Sequence, residues 1–135
     1  MERINDAKLT MEERKRKVLL ANGYERVDEI DLKTILHESE FLKVTVESLP
    51  NIELESDFLS YCTGIPKSVF DRLKKVDGYL PDNRDILEIV KATIGIMAFA
   101  KMALDYYGIF YFYSLDGDVD SIKELGDGFY QFSVM

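Results

Sequence analysis

Residues 92–104, ATIGIMAFAKMAL, constrain this chain more than any other stretch. The only charge inside it is Lys101, and Lys91 and Asp105 stand at its edges. A helix with no polar face to offer water must be central, or packed on two sides. The run is also shorter than the roughly 20 apolar residues needed to cross a bilayer, so no membrane partner is expected. Upstream, Ile86, Leu87, Ile89 and Val90 alternate at helical spacing with Arg84, Asp85, Glu88 and Lys91. Pro81 and Asp82 precede them as start signals. Together these features predict one long helix over 83–107. Gly95 lies in its interior at a cost of about 1 kcal/mol relative to Ala, which implies close packing against a neighbour.

The rest of the chain is cut into shorter pieces. Thr10 followed by Glu13 makes a capping box. Glu12 with Arg16, and Glu13 with Lys17, stand acid before base at i,i+4, and Gly23 offers a left-handed stop. The run EERKRK at 12–17 mixes signs and reads as a solvated helix face. A second helix fits 27–38, with His37 near its end as a surface or capping residue. Leu42, Val44 and Val46 alternate with Lys43, Thr45 and Glu47, the period of a half-buried strand over 41–49. Helices are predicted over 55–63 and 66–76, with breaks at Gly64 and at Asp77-Gly78. The aromatic, β-branched segments 108–115 and 129–135 read as strands, with a possible helical turn at 121–125 between them.

The chain has 135 residues, the length of a single domain over 1–135. Its 17 basic residues against 25 acidic ones give a net charge of -8, which opposes polyanions. One Cys62 excludes an intramolecular disulfide and a cysteine-rich zinc site, and one His37 excludes a two-histidine metal site. The charged N-terminal residues carry no apolar core of a signal peptide. With a free thiol, this makes the cytoplasm the expected setting. No cofactor or metal is expected.

Residues 54–76, LESDFLSYCTGIPKSVFDRLKKV, carry the most specific pattern. They resemble the helix-turn-helix of Cro- and repressor-like proteins. Thr63-Gly64-Ile65 stands at the turn. Leu59 and Ser60 stand where the family has an apolar and a small residue, and Ile65, Phe70 and Leu73 at its core positions. The hairpin so defined spans 54–78. The resemblance implies duplex DNA as a partner, with Lys67, Ser68, Asp71, Arg72, Lys74 and Lys75 on or beside the recognition helix. It departs from the family before Leu54, where the chain offers a strand-like run and Pro50 instead of a helix.

Two other constellations stand out. Asp116, Asp118 and Asp120, with Asp127 at the twelfth place, echo the spacing of a calcium loop. Ser121 replaces the required glycine, Lys123 the aliphatic residue and Asp127 the terminal glutamate, and the flanks are not helical, so the loop reads as solvated turn. Tyr106, Tyr107, Phe110, Tyr111, Phe112 and Tyr113 form an aromatic cluster, with Phe129, Tyr130 and Phe132 beyond the loop. On a strand, Phe110 and Phe112 would share a core face and Tyr111 and Tyr113 the other; burial of both faces by helices is the alternative. No glycine-rich phosphate loop, Gly-x-Ser-x-Gly or HExxH occurs.

The expected fold is α+β. About five helices surround the long apolar one, with a small antiparallel sheet from 41–47, 109–115 and 129–134, and an aromatic hairpin with an acidic loop over 108–135. Residues 105–135 hold six acids and one base. The leading functional expectation is a small acidic, non-catalytic regulator or inhibitor. It would bind a protein with a basic surface, such as a nucleic-acid-handling protein, in the manner of phage inhibitors and immunity proteins. Tyr111, Tyr113, Asp116, Asp118, Asp120, Glu124 and Asp127 are its candidate contacts. A helix-turn-helix transcriptional regulator is the alternative, and a homodimer stays open.

Overall fold

The computed structural model describes residues 9–113 and 119–134. In chain order its elements are α1 (Met11–Ala21), α2 (Glu29–Lys33), β1 (Ile35–His37), α3 (Phe41–Ser48), α4 (Ser56–Thr63), α5 (Lys67–Leu73), β2 (Lys75–Asp77), β3 (Leu80–Asp82), α6 (Arg84–Thr93), α7 (Ile96–Tyr107), α8 (Ile109–Phe112), β4 (Val119–Gly126) and β5 (Phe129–Val134). Short 3-10 turns at Glu38–Glu40 and Leu49–Asn51 flank α3. The fold is α+β, with antiparallel sheets ordered β1-β5-β4 and β2-β3. No helix among the described residues is long and apolar enough to cross a membrane. The chain divides into two compact units, one of residues 1–40 with 114–135 and one of residues 41–113.

In the first unit the capping box forms as its spacing predicts: Thr10 Oγ accepts from the Glu13 N–H, and Glu13 accepts from the Thr10 N–H, both at 3.1 Å. Asp28 and Asp31 repeat the motif at the start of α2. The helix expected over 27–38 stops at Lys33, and the chain continues as β1, paired with β5. The run at 12–17 is a solvated face only in part: Glu12, Glu13 and Lys17 are exposed, while Arg14, Lys15 and Arg16 are half-buried. Lys15, its side chain 12% exposed, pairs with Glu40 at 2.8 Å. Arg14 lies over the Phe129 ring at 5.3 Å, and Arg16 donates to the Val27 carbonyl at 2.7 Å. Leu19, Ile35 and Phe129 form the small core beneath them. Between β4 and β5, Asp127 and Gly128 both have positive φ, which is the turn an Asp-Gly pair favours between right-twisted strands. The hairpin therefore runs from Val119, not from 108, and the helical turn expected at 121–125 is strand.

The core of the second unit takes in one side of the apolar run 92–104, whose Ala92, Thr93, Met97, Ala98 and Lys101 are exposed. Phe99, Ala100 and Ala103 of α7 are fully buried with Leu59, Phe70, Ile86 and Val90. Three expectations fail here. Residues 41–48 form a helix, because Leu42, Thr45 and Leu49 also fit a helical period. Thr45 is wholly buried, and its hydroxyl donates to the Phe41 carbonyl at 2.8 Å. The long helix is two helices. Gly95 has φ +88, and a Cβ there would meet nothing within 4 Å. Its role is thus conformational, not close packing: its N–H closes α6 on Val90, and its carbonyl opens α7 at Phe99. Finally, 109–112 is a single helical turn after Gly108, so neither 41–47 nor 109–112 contributes a strand, and the rest of the expected strand after Tyr113 lies outside the described residues.

Candidate protein-binding surface

The site is assembled within the second unit around the extended segment 53–55. That segment is held from below by Asn83, a buried polar residue. Its Nδ2 donates to the carbonyls of Leu49 at 2.7 Å and Ile52 at 2.6 Å, and its N–H donates to Pro50 at 2.9 Å. It is held from the side by two tyrosines. The Glu55 N–H donates to the Tyr107 hydroxyl at 2.9 Å, and the Tyr111 hydroxyl donates to the Glu53 carbonyl at 2.5 Å.

The same tyrosines form a ladder of rings. Tyr106 stacks on Phe58, with centroids 4.5 Å apart and planes 21° apart. Tyr107 stands edge-on to Tyr106, and Tyr107 and Tyr111 stack at 4.4 Å and 10°. Two of its rings reach solvent: Tyr106 is 60% exposed and Tyr111 38%. Offset rings of this kind add about 0.5–1.5 kcal/mol per pair beyond burial, enough to hold a rigid aromatic surface.

Three acids border it: Glu53, Glu55 and Asp57. Glu53 pairs with Lys74 at 3.3 Å and Asp57 with Lys67 at 3.4 Å. Glu55, between them, has no ion-pair partner among the described residues; one of its oxygens accepts from the Tyr106 hydroxyl at 3.1 Å. That hydrogen bond, and next the charge of Glu55, raise the Tyr106 hydroxyl above its ordinary value. Burial pushes the Tyr107 hydroxyl up to about 12. Burial also raises Tyr111, helped by the charges of Glu53 and Glu55.

The residues singled out in the sequence are dispersed. Tyr111 belongs to this surface, and Tyr113, half-buried, caps α8. Asp116 and Asp118 lie outside the described residues. Asp120 and Glu124 are on β4, where Glu124 faces Tyr130, and Asp127 is in the β4–β5 turn. His37 is structural: its Nδ1 accepts from the Ser39 N–H, its Nε2 lies 3.0 Å from the Asp127 carbonyl, and its ring meets Phe129. Of the basic residues on and after α5, Lys67 and Lys74 hold the acids just named, and Lys75 holds Asp85. Asp71 accepts from the buried Ser56 hydroxyl. Ser68 and Arg72 are exposed, and Arg72 has no ion-pair partner among the described residues. Leu59 and Phe70 are buried, and Ile65 and Leu73 pack on the same core.

Sequence reasoning missed Glu53, Glu55, Asp57 and Phe58 as part of any site. Comparison with protein-family models, with curated proteins and with solved structures found no match.

Proposed function

We propose that this chain is a small non-catalytic regulator of the cytoplasm that binds a protein with a basic surface, through the tyrosine–carboxylate face of residues 53–58 and 106–111. The observation that carries this reading is Glu55, an acid without a cation among the described residues, beside the exposed Tyr106. Tyrosine supplies contact area at little entropic cost, and unpaired carboxylates steer a basic partner and fix its register. The net charge of -8 adds long-range attraction for a basic partner.

The test is capture of the partner from the native host, followed by association rates for variants. Tyr106→Leu with Glu55→Gln is expected to weaken binding at least several-fold. Changing Asp116, Asp118 and Asp120 together to Asn is expected to slow association only modestly, and less so as salt rises. If the triple change abolishes binding and the double change does not, the acidic loop is the binding face.

Duplex DNA remains the second reading. It is supported by a helix, α3, ahead of the α4–α5 pair, where the strand-like run had argued against the family, and by the exposed Arg72. Against it, three of the four bases at 67–75 are already neutralised by acids of the same unit, leaving little charge to displace counterions from phosphate. A titration with random duplex at two salt concentrations decides it: DNA binding predicts tight, steeply salt-dependent association that Lys67→Ala with Arg72→Ala weakens.

A further inference from the structure

We propose that the partner group recognised here is an arginine side chain, its guanidinium lying on the exposed side of the Tyr106 ring and turned to the Glu55 carboxylate. This rests on the protein-binding reading above. Three observations carry it. Glu53, Glu55 and Asp57 are spaced two apart; the outer two each hold a lysine, and the central one holds none among the described residues. One oxygen of Glu55 takes the Tyr106 hydroxyl, which fixes the carboxylate beside the ring and leaves acceptor capacity for a planar donor. Phe58 covers one face of Tyr106 and Tyr107 stands edge-on to it, while the residue stays 60% exposed, which leaves room for a flat cation to reach the ring.

Arginine fits this geometry better than lysine for physical reasons. Guanidinium is planar, weakly hydrated and able to stack while donating two parallel hydrogen bonds to a carboxylate. An ammonium is a compact, strongly hydrated point charge that would gain from the acids but little from the ring. Specificity would therefore come from Tyr106, and overall attraction from the three acids.

The experiment is a calorimetric titration of the full chain with an oligo-arginine peptide and with an oligo-lysine peptide of the same length. The arginine peptide is expected to bind roughly five-fold tighter, the worth of one exposed cation–π contact. Tyr106→Leu keeps apolar packing on Phe58 but removes the π face, and is expected to erase the preference. Tyr106→Phe keeps the ring and is expected to retain it. Glu55→Gln is expected to weaken both peptides, and Tyr79→Ala, on the exposed β2–β3 turn, to change neither. Equal affinity for the two peptides, with both weakened by Glu55→Gln, would overturn the arginine assignment and leave the basic-partner reading standing. A preference that survives Tyr106→Leu would overturn the role of Tyr106. Binding of neither peptide would overturn both readings.

Discussion

Replacing Asn83 by Ala should destabilise the protein by about 2–4 kcal/mol. The side chain is buried and its amide bridges two carbonyls, Leu49 at 2.7 Å in the buried interior and Ile52 at 2.6 Å nearer the surface. Leaving a buried acceptor without a donor costs about 1–3 kcal/mol, and losing a hydrogen bond that water can replace costs about 0.5–1.5 kcal/mol. At roughly 4 °C per kcal/mol for a chain of this size, the midpoint should fall by about 8–15 °C in a thermal melt followed by circular dichroism. Asn83→Asp sharpens the test. A carboxylate aimed at two carbonyl oxygens is repelled, so its folded-state pKa rises above the ordinary value of about 3.9. The variant should therefore be closest to wild type in acid and lose stability as pH rises through about 4–6. Because this amide holds the chain leading into Glu53 and Glu55, both variants should also weaken partner binding. A melting point for Asn83→Ala within about 2 °C of wild type, or an Asp variant no worse at neutral pH than in acid, would refute the assigned hydrogen bonds.

Phe99→Ala should cost about 3–5 kcal/mol by chemical denaturation, since the ring is fully buried against Phe58 and the cavity cannot be filled from solvent; a shift under 1 kcal/mol would mean the α7 core is wrongly placed. Ultraviolet titration should show Tyr107, raised by burial to about 12, ionising well after ordinary tyrosines. Because its folded value is raised, its contribution to stability is complete below about pH 10 and is lost as pH climbs toward 12. Tyr107→Phe should remove the late component, and a single wave near pH 10 in the wild-type chain would contradict the geometry.

Local chemistry was enough to place some of this structure. Thr10 and Glu13 can cap each other from three residues apart whatever surrounds them, and Asp127-Gly128 can take two positive φ values wherever two strands meet. The apolar run at 92–104 was expected to be interior all round, yet only the side bearing Phe99, Ala100 and Ala103 is buried, while Ala92, Thr93, Met97, Ala98 and Lys101 are exposed. Where short segments satisfied two periods at once, the sequence could not choose. Leu42, Val44 and Val46 alternate as a strand would, but Leu42, Thr45 and Leu49 also line one side of a helix, and packing against α7 and α8 settled the matter. Aromatic composition argued for strands at 108–115, yet two glycines with positive φ, Gly95 and Gly108, divide the C-terminal half of this unit into helical pieces. The candidate surface depended most on tertiary structure. Tyr106 and Tyr111 are some 50 residues from Glu55 and Glu53 along the chain, and no local pattern records that contact. Only the folded core, by laying α7 and α8 beside the segment after Leu49–Asn51, decided which acids meet which rings, and which lysines were already taken.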